Sequence, residues 1–223
     1  MSQLSLPFRA ASLLLIAVAA AQQTLGQPLM AQDLAGQSAI TSRLNHGEVI
    51  TGLKCIGERK YVSGRIIINA PPEQVWRIIT NPFEFRGKIE PRLKTAQIML
   101  DKEERSVMHC VIDVFPLPDL DYVVESNYER YARIEFHRVS GNLRDFQGFW
   151  EVRPWEGGLK TDLTYSMFID PGFFVPQWIV RYGVQGELPK TLNAVKRRAQ
   201  AVWFEGKQLE HETILASSSA HGM

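Results

Sequence analysis

Two early strands, one short helix, a run of further strands and a long closing helix are the elements this sequence predicts. That order describes an α+β domain in which a curved antiparallel sheet wraps around the last helix, with every helix on one face of the sheet. Three observations carry the prediction. Runs rich in β-branched and aromatic residues recur from Gly47 to Asp170 with turn residues between them. Pro71 and Pro72 mark a helix start inside that series. From Leu188 onward the apolar period changes from 2 to that of an α-helix.

The chain opens on a targeting pattern. Arg9 closes a short basic region, Ala10 to Ala21 is an apolar run too short to span a bilayer, and Ala19 and Ala21 have the small-residue spacing of a cleavage site. Residues 1–21 are therefore expected to be a signal peptide cut after Ala21. No cysteine follows the run, which argues against lipoprotein processing, and no later stretch is apolar enough to cross a membrane. The expected product is soluble outside the cytoplasm, periplasmic or secreted. Residues 22–45, rich in Gln, Ala, Ser and Gly with little periodicity, read as a flexible leader.

The domain is expected over 46–205. Gly47 to Leu53 and Tyr61 to Asn69 are the early strands, the second ending in Ile66, Ile67 and Ile68. In "NAPPEQVWRIITNP" the prolines preset φ at the helix start and Glu73 suits the positive end of the dipole. Val75, Trp76, Ile78 and Ile79 form its apolar stripe, and Pro82 stops the helix near Asn81. "KTAQIMLDKEERSVMHCVIDVF" reads as a hairpin, followed by a turn at Pro116, Pro118 and Asp119. Two more strands lie in "YVVESNYERYARIEFHRVSGN", and "QGFWEVRPWEGGLKTDLTYSMFID" is a hairpin around Glu156, Gly157 and Gly158. In the last helix, Leu192, Val195, Ala199 and Val202 make the stripe, with polar residues between them. Beyond Phe204 the chain turns small and polar, and 206–223 reads as a frayed tail.

Composition narrows the function. The 223 residues are 45% hydrophobic and 22% charged, a globular balance. The formal charge of +1 includes Arg9, so the product without its leader is near neutral, and acids and bases are interleaved as in "DKEER". That excludes the electrostatic footprint of a nucleic-acid binder, and Lys196 to Arg198 reads as a solvated helix face. Cys55 and Cys110 could pair in an oxidising compartment, but they are read as unpaired, Cys110 as a small buried hydrophobe in an alternating run. Scattered histidines, an incomplete "HETIL", and the lack of a phosphate loop or nucleophile elbow predict no metal and no nucleotide cofactor. The best pair for catalysis is His109 and Asp113, on one face of one strand but roughly 13 Å apart, too far for direct contact. No catalytic residue is assigned.

"APPEQVWRIITNPFEF", "GFWEVRPWEGGLKTDLTYSMFIDPGFFVPQWIV" and "LPKTLNAVKRRA" resemble the START-like superfamily, the polyketide cyclase and coenzyme Q-binding group with a helix-grip fold. The shared order is a Trp after a glycine, a Gly-containing hairpin, a strand ending in Pro-Gly and the closing helix, and the resemblance covers about Gly47 to Phe204. It implies a cavity for sterols, phospholipids, quinones or polyketides, and in some members a cyclase or dehydratase. It also implies that Trp150 points inward, whereupon period 2 places Val152 beside it. The same reasoning picks Leu163, Tyr165 and Met167 on the next strand, Ile134 and Phe136 on an earlier one, and Ile112 and Val114. Trp178 and Tyr182, preceded by Phe173 and Phe174, are candidates for a pocket gate or a membrane-surface contact, against ordinary helix packing as the plainer reading.

The expectation is an exported, monomeric binding protein that holds a hydrophobic small molecule or lipid without catalysis. The alternatives are a cyclase or dehydratase, which converging polar groups in the cavity would favour, and an envelope interaction module, which an exposed apolar patch over a closed cavity would favour.

Overall fold

The computed structural model describes residues 29–57, 59–114, 118–172 and 186–220. The chain divides into two compact units, Met1–Ser42 and Arg43–Met223. The described part of the first lies in helix α1, Leu29–Asn45. A flexible leader was expected there. Ala31, Gln32, Leu34, Ala35 and Ala39 are good helix formers, and a helix needs no apolar stripe when propensity alone favours it.

The second unit is one antiparallel sheet of eight strands with helices on one face. The strands are β1 (Ile50–Ile56), β2 (Arg59–Ile68), β3 (Leu93–Lys102), β4 (Arg105–Ile112), β5 (Leu120–Glu129), β6 (Arg133–Gly141), β7 (Asp145–Trp155) and β8 (Lys160–Asp170). Their order is β1-β2-β8-β7-β6-β5-β4-β3. The chain therefore crosses from β2 to the far edge through helix α2 (Pro72–Ile79) and returns strand by strand until β8 pairs with β2. Register shifts at Leu93/Thr95, Ile98/Leu100 and Val123/Val124 bend the β3–β6 half of the sheet, as bulges do.

Helix α2 begins at Pro72 and ends at Thr80, whose N–H and hydroxyl both donate to the Trp76 carbonyl. Asn81 caps the next turn, Pro82–Glu84, by accepting from the Phe83 N–H, and Phe85–Ile89 completes the link to β3. The closing helix α3 runs over Leu188–Ala220 and packs on β2 and α2. Leu188, Leu192, Val195 and Ala199 are its fully buried face. Gly64 on β2 makes that approach possible: a Cβ there would stand 2.6 Å from Leu192 Cδ1 and 3.0 Å from Leu188 Cδ2. The helix continues beyond Phe204 where a frayed tail was expected. Every side chain from Phe204 to Thr213 is exposed, so the stripe ends while Glu205, Lys207, Gln208 and Glu210 sustain the helix.

Two ion pairs tie the frame. Arg65 on β2 grips Asp162 on β8 through two hydrogen bonds of 2.8 and 2.7 Å, and Asp162 is buried. Arg198 on α3 donates twice to Glu84, joining the closing helix to the turn after α2. The Arg198 and Lys88 cations hold the Glu84 carboxyl below its ordinary value, against the opposing effect of burial. A carboxylate depressed in the folded state stabilises above its unfolded pKa, roughly 4.3, and loses that contribution as pH falls through the folded value. Glu84→Gln should therefore be less stable than the native chain at neutral pH, and the difference should close in urea melts as pH falls below about 4.

An aromatic cavity between sheet and helices

Between the bent half of the sheet and the helices lies a cavity of about 350 Å³. Period 2 builds its wall: Met108, Cys110 and Ile112 from β4, Tyr122, Val124 and Tyr128 from β5, and Ile134 and Phe136 from β6. Phe146 and Trp150 come from β7, and Tyr165, Met167 and Ile169 from β8. Ile79 and Phe85 close it from the α2 side, Leu188 and Thr191 from α3.

The rings on this wall touch in series. Tyr122 meets Phe146 at 5.2 Å, Phe146 meets Phe136 at 5.1 Å, and Phe136 meets Tyr165 at 6.1 Å between centroids. Tyr165 stacks on Trp150 at 3.8 Å with planes 5° apart, and Trp150 takes the edge of Phe85 at 6.0 Å. Such contacts add to plain area burial. Gly148, between Phe146 and Trp150 on the same face, leaves room for the Phe136 ring, whose Cζ would be 2.6 Å from a Cβ there.

Most polar groups on the wall are already engaged. Ser106 and Tyr128 share a hydrogen bond between their hydroxyls, the Thr80 hydroxyl donates to the Trp76 carbonyl, and the Thr191 hydroxyl to the Glu187 carbonyl. Arg92 bridges Glu90 at 3.0 Å and Glu187 at 2.7 Å. Cys110 and Tyr122 bond to each other, and burial pushes the Cys110 thiol up to about 12. The thiolate is the reactive form, so Cys110 should resist alkylation in the folded protein while exposed Cys55 labels readily. Mass spectrometry after a short iodoacetamide pulse should show one label, and two only after unfolding.

Of the residues picked from sequence, Ile112, Val114, Ile134, Phe136, Trp150, Tyr165 and Met167 line the cavity. Val152 and Leu163 do not. They are 3% and 0% exposed in the solid core, where β7 and β8 run beneath the packed helices. Trp178 and Tyr182 lie outside the described residues. His109 and Asp113 do not meet: His109, between Met108 and Cys110 and so on the outer face, bonds Asp121 at 2.8 Å, and Asp113 pairs with Lys94. Tyr122, Phe146 and Phe85 were not picked, although Phe146 shares the parity of Trp150 four residues on, which is signal enough to find it. Both cysteines are free, Cys55 on edge strand β1 and Cys110 on β4. Among the described residues no cluster of three or more His, Cys, Asp or Glu could hold a metal, and no helix is long and apolar enough to cross a membrane.

The architecture recurs in solved structures. A STAR-related lipid transfer protein from Xanthomonas axonopodis superposes with a TM-score of 0.57 at 17% identity, covering 68% of this chain and 93% of that one. The Zhui aromatase/cyclase from Streptomyces gives a TM-score of 0.53 at 16% identity, covering 63% and 93%. Human STARD10 gives 0.57 at 15%, covering 73% and 74%. No curated protein matches. The family described as polyketide cyclase/dehydrase and lipid transport matches residues 60–200. With that match, the helix-grip topology and the cavity under the closing helix, the chain belongs to this START-like family of ligand-binding domains.

Proposed function

We propose that this protein is an exported carrier that holds one hydrophobic molecule in the cavity and does no chemistry on it. The observation that carries the reading is the wall itself, a continuous aromatic and aliphatic surface whose polar groups are mostly bonded to one another. Burying an apolar ligand there gains the hydrophobic free energy without leaving those groups unpaired. A cavity of about 350 Å³ is at the small end of ligand pockets, which run from roughly 300 to 1,000 Å³. It suits one ring system or one chain better than a two-chain phospholipid. Export is supported by the Arg9, Ala10 to Ala21 and A-x-A pattern.

The test is native mass spectrometry with lipid extraction on protein purified from its own host without detergent. A stoichiometric hydrophobic adduct is expected. A clean apo mass that persists after incubation with quinones, sterols and phospholipids would overturn the reading and turn attention to conversion of a polyketide-like substrate. Sequencing the N-terminus of the exported material should find residue 22 first.

A further inference from the structure

The sheet ends in two edge strands, β1 and β3, and only one of them is defended. An edge presents unpaired N–H and C=O groups, which proteins protect with bulges and charges. β3 exposes Ile98 and Met99 but has both defences: register shifts at Leu93/Thr95 and Ile98/Leu100, and Lys94, Asp101 and Lys102 along its length. β1 has neither bulge nor charge cluster. Its seven residues, Ile50–Ile56, pair with β2 without a shift, and its single charged residue is Lys54. Leu53 and Ile56 on it are 64% and 42% exposed. Among the described residues nothing pairs with the free side of β1.

The β1 sequence fits a second copy of itself. Facing residues in an antiparallel pair point to the same side of the sheet, so a strand meets its own copy about a twofold axis with one residue opposite itself. Centring on Leu53 uses the whole strand. Leu53 then faces Leu53, Ile50 faces Ile56, Thr51 faces Cys55, and Lys54 faces Gly52, which has no side chain to crowd it. Centring on Lys54 would set like charges directly opposite and leave Ile50 and Thr51 without a strand partner. Centring on Gly52 would put Ile50 opposite Lys54 and strand Cys55 and Ile56. We propose that two copies of this chain pair antiparallel through β1, centred on Leu53, and so join their sheets into one. A ladder of seven residues a side is smaller than a standard interface, so the dimer is weak and concentration-dependent. At the dilution of a thermal melt the chain is the monomer expected from its sequence.

The test is sedimentation velocity on protein purified from its own host, over about 1–500 μM, with the midpoint of dimer formation expected at roughly 10–100 μM and no larger species. Leu53→Lys and Leu53→Glu each set like charges across the axis, and each should raise the midpoint at least about tenfold. An equimolar mixture of the two variants should restore the dimer, because the axis brings the substituted positions face to face. Leu53 is exposed, so both variants should fold, with circular dichroism matching the native chain. Native protein that stays monomeric, a dimer indifferent to both substitutions, a mixture that does not recover, or growth beyond the dimer would overturn the inference. So would a second protein that copurifies with the native chain and is lost in Leu53→Lys, since the edge would then belong to another chain's strand. No residue of β1 lines the cavity, so the hydrophobic adduct should be the same in every variant, and its absence would bear on the carrier reading alone.

Discussion

Replacing Trp150 with alanine is expected to cost about 3–5 kcal/mol of folding stability, the range for truncating a large buried aromatic. For a domain of this size that is a fall in Tm of roughly 6–20 °C. Trp150 is 6% exposed, lies face to face with Tyr165 at 3.8 Å and receives the edge of Phe85 from the turn after α2. The substitution therefore removes a ring that joins the sheet, the cavity wall and the helical side. Tyr165 would lose the stack that fixes its ring, so retention of a hydrophobic adduct should fall with stability. Trp150→Phe should recover more than half of the stability, because a smaller ring still fills part of the site. Leu53→Ala on edge strand β1, 64% exposed, should change Tm by less than a degree or two and serves as the control. Thermal melts by circular dichroism, with the adduct followed by native mass spectrometry, check all three.

The residues that made the fold legible are those whose neighbours in sequence decide their structure. Pro71 and Pro72 start α2 and Pro82 ends it, and the period change at Leu188 marks α3, because both are local signals. The meander was equally plain, with hairpin turns at Lys102–Arg105 and at Glu156–Gly158. The cavity was half legible. Parity placed Ile134, Phe136, Tyr165 and Met167 on the inward face, and inward is where they are. Parity cannot say where along a strand the helices leave the sheet. Trp150 and Val152 share a face of β7, yet Trp150 lines the void and Val152 is solid core, since helix packing decides the difference. The pairing of His109 with Asp121 was hidden for the same reason. It depends on the β4–β5 register, in which His109 sits opposite Val123 and so diagonal to Asp121. Periodicity likewise missed α1 and the outer turns of α3, where helix-forming residues act without an apolar stripe.

Alanine at Gly148 should be far more damaging than alanine at Gly64, and what each added methyl would meet explains why. Both glycines face inward and both leave space that another group fills. At Gly64 the added Cβ meets Leu192 Cδ1 at 2.6 Å and Leu188 at 3.0 Å, the far ends of side chains that can change rotamer or ride with a small shift of α3. The expected cost is about 1–2 kcal/mol, ordinary overpacking. At Gly148 the Cβ would stand 2.2 Å from the Ser166 carbonyl oxygen and 2.9 Å from Met167 Cα, both backbone of β8, as well as 2.6 Å from Phe136 Cζ. Backbone held in the β7–β8 ladder cannot step aside without breaking the pairing of Gly148 with Met167, and the strands it would part carry Trp150 and Tyr165. The cost should exceed the usual overpacking range and reach about 3 kcal/mol or more. Urea unfolding should rank native above Gly64→Ala above Gly148→Ala, with ligand retention lost in the last. Equal midpoints for the two variants would mean that β8 yields as easily as a leucine tip, and that the Trp150–Tyr165 stack is not held by the strand pairing beneath it.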